Sequence, residues 1–168
     1  MDGMPEGRTF IAVVGAGAGS CDPQAARIAE AVGREIAKAG AVLVCGGLGG
    51  VMEAACRGAS QQGGLTIGIL PTNSRDSANA YVKVAIATGL GEARNALITR
   101  TADAVIAVGG EFGTLSEIGL ALKMGKPVVG IETWELAKGG QASSAIRRAS
   151  SAEEAVKTAI AIAERGNL

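Results

Sequence analysis

"DAVIAVGGEFGTLSE", residues 103–117, is the stretch whose reading decides the fold. Its first half is a short apolar run rich in Val and Ala, the pattern of a buried strand. It runs straight into two glycines, and Gly113 and Thr114 then open a helical pattern over 113–124. The same order recurs upstream. "FIAVVG" (10–15) leads through "GAGAGS" (15–20) to a helix over 22–39, and "AVLVC" (41–45) leads through "GGLGG" (46–50) to a helix over 49–62. Strands in "LTIGIL" (65–70) and "PVVGI" (127–131), an edge strand in "YVKVAIAT" (81–88), and helices over 91–101 and 151–164 complete the series. Residues 133–150 show no regular period. Alternating strands and helices, with strands that are nearly all apolar, predict an α/β fold: a Rossmann-like three-layer domain, a mostly parallel sheet with helices on both faces. It is expected to occupy residues 9–168 as a single domain, after a flexible N-terminus over 1–8.

Local signals mark the helix ends. Asp22 before Pro23 is an N-cap with proline at the first helical position. Gly40 and Gly125 are helix stops. Ser151-x-x-Glu154 has capping-box spacing, and so has Thr114-x-x-Glu117. Gly58 weakens the second helix, since glycine costs about 1 kcal/mol against alanine inside a helix.

Composition narrows the function. The 168 residues hold 16 basic and 16 acidic side chains, so no charge excess favours nucleic acid or an anionic membrane surface. Only two Phe, one Tyr and one Trp are present, which leaves few stacking platforms for single strands. Histidine is absent, which removes a Ser-His-Asp triad, a Cys-His pair and most zinc sites; no metal is expected. Cys21, Cys45 and Cys56 form no CxxC motif and read as buried small residues of a reducing compartment. No apolar run reaches transmembrane length and the first residues carry no hydrophobic signal region, so a cytoplasmic protein is expected.

Ligands of such sheets sit at the carboxyl ends of the strands, near a switch in strand order. Three strand ends carry glycine clusters: Gly15, Gly17 and Ser20; Gly46, Gly47, Gly49 and Gly50; and Gly109, Gly110, Gly113 and Thr114. The first begins like a dinucleotide fingerprint but has Ser20 in place of the third glycine. The second strand also ends in Cys45-Gly46-Gly47, without the acidic ribose partner. No Gly-Lys-Ser/Thr follows any of them, which excludes a Walker A loop. In the other two clusters the bare backbone and the unpaired N–H groups of a helix start make a phosphate seat. The alternative is two tight turns with close helix–sheet packing.

"GGEFGTLSE" resembles the PGGxGTxxE signature of the LOG (Lonely Guy) superfamily, long mislabelled lysine decarboxylase, and "VCGGLGGVMEAACRGASQQGGLTIGILP" resembles its GGxxGLMG segment with the helix and strand that follow. The similarity runs from about residue 10 to 132, and is closest to the small subgroup that contains the molybdenum cofactor carrier protein. The resemblance implies a Rossmann-like, dimeric or tetrameric protein that binds a nucleotide, phosphate or molybdopterin-type ligand, with no cofactor required. In typical LOG enzymes the N-glycosidic bond of a nucleoside 5′-monophosphate is cut to free base and ribose 5-phosphate. By matched position Glu117 would be the catalytic carboxylate, Arg94 in "GEARN" the motif arginine, and Gly109, Gly110, Gly113 and Thr114 the phosphate cradle. Val108 stands in place of the signature proline, Glu53 in place of the last glycine of GLMG, and Asn95 in place of a lysine. These departures lean the reading toward binding without turnover, with phosphoribohydrolysis as the alternative. Neither Lys123 nor Lys126 has a Schiff-base setting. Two residues keep a structural alternative: Glu117 as the partner of Thr114 in a cap, and Arg94 as a solvated helix charge.

Overall fold

The structure, a computed structural model, describes residues 7–166. The flexible lead expected over 1–8 therefore lies mostly outside the described residues. Seven strands form one sheet: β1 (Phe10–Gly15), β2 (Val42–Cys45), β3 (Thr66–Leu70), β4 (Val84–Ala87), β5 (Ala104–Val108), β6 (Val128–Ile131) and, at the far edge, β9 (Ile146–Arg148). A separate two-stranded hairpin, β7 (Ala137–Lys138) with β8 (Gln141–Ala142), precedes β9. Every pairing in the large sheet is parallel.

The strand order is β4-β3-β2-β1-β5-β6-β9. From β1 the chain steps outward through β2, β3 and β4, then returns to the other flank of β1 for β5. That reversal opens a crevice at the carboxyl ends of β1 and β5, where Gly15 is in register with Val108. Five helices cover the sheet. α1 (Pro23–Lys38), α2 (Val51–Gln61) and α5 (Ala152–Gly166) pack on one face; α3 (Asn95–Thr101) and α4 (Phe112–Lys123) pack on the other. The central strands are buried on both faces, β5 along its whole length, which explains their unbroken apolar runs.

The expected caps form at four helix ends. Asp22 accepts a hydrogen bond from the Ala25 amide at 2.7 Å, and Gly40 and Gly125 have the positive φ (74° and 73°) of residues just past a helix. Ser151 caps α5 by accepting from the Glu154 amide at 3.1 Å, and the Glu154 carboxylate reaches back to the amide of Ser150. Gly58, which weakens α2 as an isolated helix, belongs to a close helix crossing. A Cβ on Gly58 would lie 1.9 Å from the Glu30 carbonyl oxygen in α1, and one on Gly33 equally near the Ala55 carbonyl in α2.

The stretch 133–150, without a period in sequence, contains β9. Only Ile146 of that strand is buried, so it offers too few core positions to register as a pattern. The edge strand expected in 81–88 is β4, and the helix expected over 91–101 splits into a 3₁₀ turn (Gly91–Arg94) and α3. Among the described residues no helix is long and apolar enough to cross a membrane.

Candidate functional site

The crevice at the strand-order reversal holds a cleft of about 340 Å³. Gly15, Ala16 and Gly17 after β1, Gly46 after β2 and Pro71 after β3 form part of its wall. Val13 and Val14 of β1, Met52 of α2, Gly91, Glu92 and Arg94 of the 3₁₀ turn, Asn95, the α4 N-cap Glu111, and Gly113, Thr114 and Glu117 of α4 complete it. Segments that follow five strands, β1 to β5, thus converge on one space.

Arg94 is the charged centre. It is only 8% exposed, so it is not the solvated helix charge that its sequence setting allowed. Its Nε donates to the Ile69 carbonyl at 2.9 Å, and Nη1 donates to the Asn95 side chain. Both acceptors are neutral. Among the described residues no carboxylate lies within ion-pair distance of the guanidinium. Burial pulls its pKa below the ordinary arginine range, while the charge of Glu117 opposes that shift. The remaining N–H groups of the fork are available to an anion in the cleft.

α4 supplies the second half. Its N-cap is Glu111, which makes no side-chain capping bond, and the first amide of the helix to find a carbonyl is that of Leu115, bonded to Glu111 at 3.0 Å. The amides of Gly113 and Thr114 face no protein acceptor among the described residues, and both residues line the cleft. This is the open helix start expected of a phosphate seat. The capping box that the Thr114-x-x-Glu117 spacing allowed as an alternative does not form. Two residues, Glu111 and Phe112, separate Gly110 from Gly113 where the signature has one, and the helix begins at Phe112. Thr114 therefore lies within the first turn, and Glu117 follows it by most of another turn. Desolvation pushes the Glu117 carboxyl up to about 7, against the pull of the Arg94 charge.

Of the sequence-derived site residues, Gly15, Gly17, Gly46, Arg94, Gly113, Thr114 and Glu117 meet in this cleft. Ser20, Gly47, Gly49, Gly50, Gly109 and Gly110 do not line it. The Ser20 amide bonds to the Gly17 carbonyl within a turn at 3.1 Å, and Asp22 fills the start of α1, leaving no anion seat there. Gly50 lets α2 approach the first loop: a Cβ on it would lie 2.3 Å from the Ala16 carbonyl oxygen. Gly110 turns the chain under Thr114, whose Oγ1 would be 2.3 Å from an added Cβ. Gly109 and Gly110 instead border a neighbouring hollow with Glu132, Thr133, Trp134 and Glu135. Glu53 is also outside the cleft wall; its carboxylate lies beside Gly49, so it does not block the seat. Met52, Pro71, Glu92 and Glu111 were not foreseen as wall residues. The positions of Met52 and Glu111 inside the two matched glycine segments were the available signal.

The chain is similar to proteins of one family and to several solved structures. A model of the SLOG cluster4 family matches residues 8–164. An uncharacterized protein of Archaeoglobus fulgidus is 51% identical over 116 residues, 69% of this chain and 76% of that protein. The molybdenum cofactor binding protein of Rippkaea orientalis superposes with a TM-score of 0.82 at 37% identity, covering 92% of this chain and 97% of that one. The molybdenum cofactor carrier protein of Chlamydomonas reinhardtii does so with a TM-score of 0.79 at 31% identity, covering 92% and 97%. These matches place the chain in the LOG-like superfamily, alongside the carrier subgroup: it belongs to the SLOG cluster4 family.

Proposed function

We propose that the chain binds a nucleotide-like, phosphate-bearing small molecule in this cleft, a molybdenum-cofactor-type pterin phosphate being the best-supported cargo. The observation that carries this reading is Arg94. An isolated buried cation costs several kcal/mol unless an opposite charge compensates it. Here, among the described residues, the guanidinium hydrogen-bonds only to neutral acceptors, feels the Glu117 charge without an ion pair, and shares its cleft with the open amides of Gly113 and Thr114. A phosphate monoester supplies the missing charge and accepts from both groups. The similarity to the Rippkaea and Chlamydomonas proteins supports a pterin as the organic part.

Glu117 favours a second reading, phosphoribohydrolysis of a nucleoside 5′-monophosphate. It is uncapped, lies in the cleft wall and is poised near neutrality. There it would stabilise positive charge developing on the ribose as the C–N bond breaks, or orient the attacking water. A second copy of the chain is the expected partner, in a homodimer or homotetramer. β4 leaves Val84 and Ile86 exposed at the sheet edge, which an added copy would cover.

Titration calorimetry with inorganic phosphate and a panel of nucleoside 5′-monophosphates, paired with assays for free base and ribose 5-phosphate, separates the readings. Saturable binding without product supports the carrier. Turnover that vanishes in Glu117→Gln supports the hydrolase. Failure of phosphate and of every monophosphate to bind at millimolar concentration removes both.

A further inference from the structure

Cys45 and Cys56 have no part in the cleft chemistry described above. Both are fully buried, and their sulfurs lie 3.5 Å apart. Cys45 ends β2 and Cys56 lies in α2; residues 46–55 between them contain the whole Gly46–Gly50 turn and Met52. The Gly47 amide donates to Cys45 Sγ at 3.3 Å, so the turn is tied to this sulfur directly. The next residue, Gly46, is part of the cleft wall beneath Arg94.

The two thiols are chemically unequal. The Gly47 amide donates to Cys45 Sγ, and Arg94 adds positive charge nearby; both favour negative charge on Cys45 against the effect of burial. The hydrogen bond to Cys45 and desolvation push Cys56 up. The amide hydrogen bond and the Arg94 charge make Cys45 the sulfur that attacks first, and Cys56 the one that resolves.

We infer that Cys45 and Cys56 are an oxidative modification site, at which a peroxide converts the adjacent thiols to a disulfide that closes a loop around the Gly46–Gly50 turn and reshapes the cleft wall. The Cys45 sulfur attacks one peroxide oxygen; an S–O bond forms, the O–O bond breaks, and the departing hydroxide takes up the proton that the Cys45 thiol gives up. The Cys56 sulfur then attacks the sulfenic sulfur; the S–S bond forms, the S–O bond breaks, and the oxygen leaves as water. Two thiols lose two electrons and two protons, and one hydrogen peroxide becomes two waters. The sulfurs must close from 3.5 Å to the ~2.05 Å of a bond, which draws the end of β2 and α2 together and weakens the Gly47 N–H···S bond. A small-molecule thiol reverses the step by exchange.

The consequence for ligand rests on reading the cleft as an anion site; the formation of the bond does not. The test is to treat the full chain with hydrogen peroxide, block remaining thiols, and record intact mass, peptide cross-links and amide exchange. The expected result is a loss of about 2 Da with Cys45 joined to Cys56, reversed by dithiothreitol. Amide exchange across 46–52 changes with it, and affinity for inorganic phosphate falls roughly fivefold, about 1 kcal/mol. Cys45→Ser and Cys56→Ser each abolish the cross-link. Cys21→Ser, which alters a cysteine outside the pair, retains it and keeps the test open should a core serine unfold the chain. The inference is overturned if the thiols stay free, if Cys21 supplies one end of the bond, or if the bond forms and exchange over 46–52 does not change. A reduced protein that binds no phosphate would overturn the anion-site reading, while mass and exchange still decide this one.

Discussion

The guanidinium of Arg94 lies against the bare α-carbon of Gly46: a Cβ built there would sit 2.7 Å from Nη2 and 3.1 Å from Cζ. The absence of one side chain thus lets a cation rest at the end of β2 with its fork beside the cleft. Gly46→Ala is expected to displace Arg94 and weaken inorganic phosphate binding about tenfold, or 1.4 kcal/mol. Calorimetry on a variant with parental circular dichroism checks this; unchanged affinity would separate Arg94 from the anion.

Arg94 should be worth more to binding than to folding. Arg94→Met removes a buried cation together with its hydrogen bond to Ile69. Those effects oppose one another, so stability of the ligand-free protein should stay within about 1 kcal/mol of the parent. The rise in Tm that phosphate gives the parent should disappear. Arg94→Lys, a point charge without the planar fork, should bind phosphate roughly 10-fold more weakly. Thermal melts with and without phosphate read both outcomes.

Glu117 makes stability and anion affinity depend on pH in the same direction. Its folded-state pKa of about 7 is above the ordinary carboxylate value, so between about pH 4.5 and 7 the folded chain holds more protons than the unfolded one. The stability associated with the neutral carboxyl is complete below pH 4.5 and lost as pH rises through 7, by at most about 3 kcal/mol. Glu117→Gln should flatten that fall, matching the parent near pH 4.5 and exceeding it at pH 8 in urea titrations. Sulfate, which does not itself titrate in this range, should bind the parent less well at pH 8 than at pH 6. A pH-independent difference between parent and Glu117→Gln would contradict the assignment.

At the crossing of α1 and α2 the structure reverses a prediction made from helix propensity. Alanine for glycine in an exposed helix gains about 1 kcal/mol. Here an added methyl on Gly33 or Gly58 would lie 1.9 Å from a carbonyl oxygen of the opposite helix, an atom fixed by its own helical geometry. Gly33→Ala and Gly58→Ala are each expected to destabilise by about 3 kcal/mol, the upper part of the range for overpacking. Urea denaturation gives the sign directly.

Much of this fold was legible in the chain because its signals are local. A strand buried on both faces announces itself as an apolar run, as in Val105–Val108. Asp22-Pro23, Gly40 and Gly125 mark helix ends through backbone chemistry confined to one turn. Thr114-x-x-Glu117 shows the limit of such signals. Its spacing fits a cap, but Glu111 and Phe112 extend the turn and the helix starts earlier, turning the expected partner of Thr114 into a cleft carboxylate. Arg94 is a plainer case, since nothing in "GEARN" distinguishes a buried arginine from a solvated one.

The sequence by itself determined an alternating α/β chain with glycine-opened turns at its strand ends, and resemblance singled out Arg94 and Glu117. Only the tertiary structure decided which turns meet. Arg94 is held by Ile69 and lies over Gly46, and it shares a cleft with Gly113 and Thr114 because β1 stands between β2 and β5 in the sheet. Capping and periodicity act over three or four neighbouring residues; strand order is set by packing among segments far apart in the chain, and among the described residues that packing leaves a buried cation with no carboxylate at ion-pair distance.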